Sequence, residues 1–235
     1  MIDDKKGTKH PLSMVIDEVV YIFSDLGFTV ELGPELEETK YNFDMMNFPL
    51  DHPARDMQDT FFIKDKPNFV LRTHTSNVQA RFMEKFAKEN KKPPFAIIVP
   101  GKVFRSESTD SGHDMQFHQL EGLMIGSDIN VANMKAILLK FFEKFFADKV
   151  EIRFRPSFFP FVEPGFEVDV KKGGKWFEVL GAGLVHPKVL ENCGIDSTKY
   201  QGFAFGFGLD RFMMIKYGIS DVRLSYQGDL RLNQF

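Results

Sequence analysis

The chain has 235 residues, of which 43% are hydrophobic and 27% are charged, so its composition predicts a folded domain with a sizeable core and excludes general disorder. Its 30 basic and 33 acidic residues leave a net charge of -3, which is not the basic surplus of a free-standing nucleic-acid binder. A single cysteine excludes an internal disulfide and fits a reducing compartment, and no apolar run approaches the ~20 residues needed to span a bilayer. We therefore expect a cytoplasmic protein that does not cross a membrane.

The first predicted element is a helix over residues 11–27, where apolar side chains recur at helical spacing between a proline and a glycine. A short extended segment with a break at Pro34 follows. Residues 39–60 are rich in Asn, Asp and Pro and predict a long loop, which in a compact domain is usually functional or supported by a partner. A hairpin with its turn at residues 64–68 comes next.

A helix capped by Ser76 and running to about Asn90 is predicted after the hairpin. The remaining pattern predicts strands separated by one strong helix that starts at Asp128 or Asn130, and a last helix that starts near Gly208. The strand segments are FAIIVPGKVFRSES, QFHQLEGLMIG, VEIRFR, PFVEPGFEVDV and KWFEVLGAGLVH. Since helices and strands do not alternate regularly, we expect one α+β domain over residues 1–235 with a largely antiparallel sheet.

Two neighbouring strands carry a polar row that an ordinary core would not tolerate. Side chains alternate along a strand, so Arg105 and Glu107 are expected on one face, and so are Phe117, Gln119 and Glu121 on the next strand. Unpaired buried charges cost several kcal/mol. This face is therefore either a solvated surface or the floor of a ligand site, and the ring within the row favours the ligand site.

Two glycine-rich stretches, FEVLGAGLVHP and YQGFAFGFGLDRF, predict places where a ligand can approach the backbone closely. In the first, Glu178 is expected on the same face as Leu180 and Ala182. The second leads into a helix whose first turn would hold Arg211, which suits an anion or the face of a nucleobase. Each stretch alone is a weak signal.

Two further groups of residues have both a structural and a functional interpretation. Phe159 and Phe161 share a strand face, and paired phenylalanines more often belong to a core than to a pocket. His74, Ser76 and Gln79 lie at a strand-to-helix junction, where a histidine is usually structural but this trio could hold a ligand carboxylate or amine.

Taken in order, these segments resemble the class II aminoacyl-tRNA synthetases. FRSE resembles the start of that family's motif 2, GFGLDRF resembles motif 3, and the first helix resembles motif 1. HPARDMQDTF, LRTHTS, FHQLEG, FPFVEP, EVLGAGLVHP and GFAFGFGLDR are similar to segments of the phenylalanyl-tRNA synthetase α subunits. The resemblance runs from about His10 to the end. It implies a class II catalytic domain in which helices flank an antiparallel sheet, with ATP and phenylalanine on the floor of the sheet.

The resemblance also implies roles for individual residues, with Arg105, Glu107 and Arg211 as the catalytic ones. Residues that would bind ATP are Arg105, Glu107, His113, Phe117, Glu178 and Arg211. Residues that would bind the amino acid are His74, Ser76, Gln79, Gln119, Glu121, Phe159, Phe161, Val162, Ala182, Gly183, Ala204 and Gly206. Mg²⁺ ligands would be Glu163, on an ion shared with the partner subunit, and Glu178.

The implied reaction is activation of L-phenylalanine with ATP to phenylalanyl-adenylate, followed by transfer to tRNA(Phe) together with a β subunit in an (αβ)₂ assembly. We expect the family's N-terminal coiled-coil arm to be absent from this sequence, so that tRNA contacts come mostly from that arm and from the partner. Two alternatives stay open. The chain could be a non-catalytic paralogue that binds an amino acid as a sensor or regulatory subunit, or a synthetase for another aromatic or modified amino acid.

Overall fold

The structure is a computed structural model that describes residues 7–106, 108–229 and 232. Within these residues the helices are α1 (Pro11–Asp25), α2 (Ser76–Lys88), α3 (Val131–Phe146), α4 (Pro187–Asn192) and α5 (Leu209–Tyr217). The strands are β1 (Thr29–Val30), β2 (Leu36–Glu38), β3 (Phe62–Ile63), β4 (Lys66–Leu71), β5 (Phe95–Phe104), β6 (Gln116–Gly126), β7 (Glu151–Phe159), β8 (Val162–Lys172), β9 (Lys175–Val185) and β10 (Gln201–Gly208). All these helices are too short or too polar to cross a membrane.

The main sheet has seven strands in the order β1-β5-β6-β10-β9-β8-β7. The short strand β1 runs parallel to β5, and the other neighbours described in this sheet are antiparallel. A small sheet of β2, β4 and β3 stands beside it. The prediction of an α+β fold with a largely antiparallel sheet flanked by helices is therefore confirmed.

One face of the main sheet packs against α1, α3 and α5 through aromatic rings. The ring of Phe23 on α1 stacks on Phe141 of α3 at 4.6 Å and on Phe205 of β10 at 5.1 Å, measured between centroids. The helix α3 starts where Asn130 forms a capping box with Asn133. The helices α1 and α3 both bury their apolar stripes on this face, which forms the larger of the two cores.

The opposite face packs against α2 and α4 along only part of its length. Buried residues of this second core include Ile97 and Val99 on β5 and Leu123 and Ile125 on β6. Further along β6, the same face continues with Glu121, a polar residue. Along this face of β6, the side chains therefore change from apolar residues in the core to polar residues at an opening.

Some local predictions are wrong in detail. The hairpin turn is tighter than predicted, because Ile63 already pairs with Lys66 and Asp65 adopts a positive φ of 66°. Ser76 is not the cap of α2: Thr75 occupies that position, and Ser76 Oγ instead donates a hydrogen bond to Glu121. The loop over residues 39–60 contains a π-helical turn at Lys40–Asp44 and a 3₁₀ turn at Pro53–Arg55.

The predicted face of Glu178 is also wrong, because β9 contains a bulge. Val168 of β8 pairs with Leu180, whereas the next residue, Asp169, pairs with Glu178. Val179 is therefore an extra residue in β9, and it reverses the alternation. Glu178 consequently lies on the face of Asp169, opposite to Leu180.

Candidate active site

Two adjoining cavities open on the polar part of the sheet. The first, of about 500 Å³, has an apolar end formed by Phe159, Phe161, Val162 and Ala204 and a polar end around Glu121. The second, of about 650 Å³, is lined by residues from the strands and from α5. Its lining includes Arg105, His113, Phe117, Glu178 and Arg211. Arg105, Gln119 and Gly206 line both cavities, so the two spaces meet.

The junction depends on the pairing of β6 with β10. Gly206 lies opposite Glu121, and Gly208 lies opposite Gln119. A Cβ atom at Gly206 would lie 2.8 Å from Cγ of Glu121 and 3.4 Å from Nε2 of Gln119. Glycine is therefore required here for the long polar side chains of β6 to lie across β10.

Glu121 is the buried acid at the polar end of the first cavity, with only 7% of its surface exposed. Ser76 Oγ donates a hydrogen bond to its carboxylate, and Gln79 Nε2 approaches the same oxygen at 3.3 Å. Burial raises the pKa of Glu121 to about 7, despite these donors and the positive charge of Arg105. The group can therefore change its charge near neutral pH.

His74 lies in the same cavity as a neutral ring. Burial and, to a smaller extent, the charge of Arg105 lower the pKa of His74 to about 3. Its imidazole stacks on Phe48 with a centroid distance of 5.7 Å and an interplanar angle of 3°. This stack places His74 beside the apolar wall, where it provides ring nitrogens without a positive charge.

Arg105 lies just past the end of β5 rather than within it. Its Nε donates a hydrogen bond to the Thr73 carbonyl over 3.2 Å, and its guanidinium carbon lies 5.1 Å from the centroid of the Phe117 ring. His113 is on the exposed loop that follows, with Nδ1 3.0 Å from Oδ1 of Asp110. Glu107, predicted to help with ATP, lies outside the described residues.

Arg211 projects from the first turn of α5 and is exposed at the second cavity, as predicted from the motif. Phe117, on β6, borders the same cavity and is partly buried. The structure therefore brings a guanidinium and an aromatic ring, 94 residues apart in the sequence, to a single opening.

Ala182 and Gly183, both predicted to bind the amino acid, differ in their relation to the first cavity. Ala182 borders the first cavity, but it belongs to the core on the helix-covered face, since it pairs with Phe166 and Phe205. Gly183 is outside the residues that line the cavities. A Cβ atom there would lie 2.7 Å from Cβ of Val162, so this glycine makes room for Val162 and not for a ligand.

The sequence interpretation missed the contribution of the long loop to the first cavity. Residues of this loop and of the segment after β4 complete the lining: Phe48, His52, Ala54, Asp59, Thr60 and Thr73. Ser106 N donates to the Asp59 carbonyl over 3.1 Å, which ties the loop to the end of β5. The unusual length of the loop was the signal available in the sequence.

Comparison with known proteins shows the family of the chain. Residues 2–235 match the family described as tRNA synthetases class II core domain (F). Over 97% of its length, the chain is 52% identical to the phenylalanine–tRNA ligase alpha subunit of Clostridium perfringens strain SM101, of which it covers 69%. It is 50% identical to the alpha subunit of the same name from Rickettsia typhi strain Wilmington, of which it covers 65%. The chain belongs to this class II synthetase family.

The predicted metal ligands lie apart from each other in this class II domain. Glu178 borders the second cavity, and its carboxylate lies 2.8 Å from Nη2 of Arg155. Glu163 is exposed outside both cavities, and its carboxylate lies 3.4 Å from Nε2 of His186. Among the residues that the structure describes, no three His, Cys, Asp or Glu side chains form a group that could hold a metal ion.

Proposed function

We propose that this chain is the catalytic subunit of a phenylalanine–tRNA ligase, which activates L-phenylalanine with ATP to phenylalanyl-adenylate and, with a β subunit, transfers it to tRNA(Phe). The observation that carries the proposal is the meeting of the two cavities at Arg105, Gln119 and Gly206. An amino acid in one cavity and a nucleotide in the other would place their reacting groups at this junction. The names of the relatives support the same reaction.

The first cavity has the chemistry of a phenylalanine site. The Glu121 carboxylate, held by Ser76 and Gln79, would accept hydrogen bonds from the ligand's ammonium group. At the other end, Phe159, Phe161, Val162 and Ala204 form a wall without ionisable groups, which suits a phenyl ring. Gln119 and His74, which line the same cavity, would position the carboxylate and ammonium groups of the amino acid.

The second cavity has the chemistry of a nucleotide site. An adenine ring would stack between Phe117 and Arg211, which use an aromatic face and a planar cation. His113, on the neighbouring loop, would contact the phosphates. Glu107 would help to fix the adenine or to order the site, as the family resemblance implies.

Arg105 is the residue that we expect to assist the chemical step. Attack of the amino acid carboxylate on the α-phosphate of ATP forms a new O–P bond, expels pyrophosphate and builds negative charge on the phosphoryl oxygens. A guanidinium already fixed by the Thr73 carbonyl and lying at the junction can stabilise this charge without reorganisation. No covalent nucleophile from the protein is required.

The residues at the second cavity fit Mg²⁺ only if the phosphates of the substrate supply further ligands. Mg²⁺ is commonly held by one or two carboxylates together with substrate phosphates, and Glu178 supplies one carboxylate at the nucleotide cavity. Such an ion would neutralise charge on the phosphates. Glu178 would then have to exchange its bond to Arg155 for the ion. Glu163, which does not line this cavity, would bind a separate ion together with the partner subunit.

The proposed assembly is (αβ)₂, in line with the alpha-subunit names of the relatives. The net charge of -3 fits a chain that leaves most contacts with tRNA(Phe) to the partner and to the coiled-coil arm of the family.

The decisive test is ATP–pyrophosphate exchange by the chain assembled with its β subunit. We expect exchange to require phenylalanine, and Arg105→Ala to reduce it at least about a hundredfold. Arg153→Ala, which removes a guanidinium outside both cavities, is the matched control. Exchange that Arg105→Ala leaves intact would refute the phosphate role. Calorimetry that detects phenylalanine binding but no ATP binding would favour the amino-acid sensor instead.

A further inference from the structure

At the edge of the second cavity, which Asp210 itself lines, three residues form a closed hydrogen-bonded network that the proposed chemistry does not use. The Tyr226 hydroxyl donates to Oδ1 of Asp210 over 2.7 Å, and the His118 backbone N–H donates to Oδ2 of the same carboxylate over 2.6 Å. Nδ1 of His118 lies 3.0 Å from the Tyr226 hydroxyl oxygen, which closes the ring of contacts. Asp210 is only 3% exposed.

Each member of this network adjoins an element of the nucleotide cavity. His118 directly follows Phe117 on β6, and Asp210 directly precedes Arg211 in the first turn of α5. Tyr226 ends the 3₁₀ segment Val222–Tyr226. The network therefore joins the strand that carries the aromatic ring to the helix that carries the guanidinium, and it fixes the space between them.

The same 3₁₀ segment also holds the loop on the other side of the cavity. The Val222 N–H donates to the Ser111 carbonyl over 2.9 Å, two residues before His113, and Val222 is buried and lines the second cavity. The hydrogen bond of Arg223 to Asp221 raises the pKa of Arg223, and the negative charges of Asp110 and Asp114 on the loop raise it further.

We propose that residues 221–226, together with Asp210 of α5, form a positioning clamp for ATP, in which Tyr226 and Asp210 are positioning residues that set the spacing between Phe117 and Arg211. The clamp rests on the proposed function, because that function makes the second cavity a nucleotide site. The Asp210 carboxylate accepts hydrogen bonds from donors on two different elements, β6 and the 3₁₀ segment. The loss of either hydrogen bond therefore loosens the position of both elements. A buried acceptor that loses its donor is costly, and small displacements of a binding group lower affinity strongly.

The test is Tyr226→Phe in the chain assembled with its β subunit, assayed by pyrophosphate exchange against varied ATP and varied phenylalanine. The substitution removes one hydroxyl group and retains the ring. We expect the KM for ATP to rise about tenfold, while the KM for phenylalanine and kcat change by less than about twofold. Tyr200→Phe removes the same atom from a tyrosine that lines neither cavity and should change none of the three.

Asp210→Asn is the second variant, since it keeps an acceptor for the His118 N–H and tests the clamp if Tyr226→Phe does not fold. We expect the double variant to raise the KM for ATP little beyond the larger single effect, because both substitutions open the same network. An unchanged KM for ATP, or an equal rise in both KM values, would overturn the clamp. Failure of the proposed function would be seen separately, as an absence of exchange in the unmodified protein.

Discussion

The affinity for phenylalanine should decrease in acid because a proton competes with the ligand for Glu121. Burial raises the pKa of this carboxyl to about 7, and only its ionised form attracts the ammonium group of an amino acid. Lowering the pH through 7 therefore removes the binding-competent form. The nearby His74 does not contribute to this titration, because its pKa of about 3 keeps it neutral throughout.

The expected size follows from the ionised fraction. With a pKa of about 7, Glu121 is roughly nine-tenths ionised at pH 8 and roughly one-tenth ionised at pH 6. Since the apparent Kd varies inversely with the competent fraction, phenylalanine should bind about tenfold more weakly at pH 6 than at pH 8. The amino group of the ligand stays protonated over this range, so it does not mask the effect.

Isothermal titration calorimetry with phenylalanine alone, without ATP, measures this dependence on the assembled protein. Glu121→Gln is the matched control, because it retains the shape of the side chain and cannot titrate. We expect the variant to bind weakly, with the same affinity at pH 6 and pH 8. Equal affinities of the unmodified protein at both pH values would refute the reasoning, and so would a tenfold pH dependence that persists in Glu121→Gln.

Three further predictions follow from the same site. Ala204→Gly should enlarge the apolar end of the first cavity and permit exchange with para-chlorophenylalanine; no gain of activity toward that compound would mean that the phenyl ring binds elsewhere. Gly206→Ala should reduce kcat/KM for exchange roughly a hundredfold, because its Cβ would lie 2.8 Å from Cγ of Glu121, whereas Gly7→Ala, which meets no neighbour, should not. In thermal melting at pH 8, Glu121→Gln should be more stable than the unmodified protein by up to about 3 kcal/mol, because a carboxyl whose pKa is raised in the folded state destabilises the fold when the pH lies above that pKa. The difference in stability should shrink as the pH falls from 7 to about 4.5. A difference that stays constant with pH would contradict the raised pKa of Glu121.

The fold could be predicted because its elements have strong local signals. The strand Gln116–Gly126 and the helix that follows Asn130 occur where periodicity and capping residues place them. The strand Gln201–Gly208 was recognised only as a glycine-rich stretch. Glycine weakens the strand pattern, and here it is required because the neighbouring strand β6 places Glu121 against Gly206.

The site was predictable where it follows strand alternation and unpredictable where it depends on tertiary contacts. Gln119 and Glu121 share a face because they are two positions apart on a strand. The face of Glu178 was predicted wrongly because the bulge at Val179 depends on pairing with β8, which no local pattern reveals.

Tyr226 was likewise not singled out, since its partners lie far away in the sequence. Its hydroxyl group reaches Asp210, 16 positions earlier, and His118, 108 positions earlier. A single tyrosine in a polar C-terminal segment gives no signal of such a contact before the chain is folded.

The central claim is that one amino acid and one nucleotide meet at the junction of the two cavities, and a crystal structure with a non-hydrolysable phenylalanyl-adenylate analogue tests it most directly. We predict that the adenine will lie between Phe117 and Arg211, the ammonium group within hydrogen-bonding distance of Glu121, and the phenyl ring beside Ala204. An analogue bound outside these cavities, or bound with its phenyl ring in the second cavity, would contradict the account.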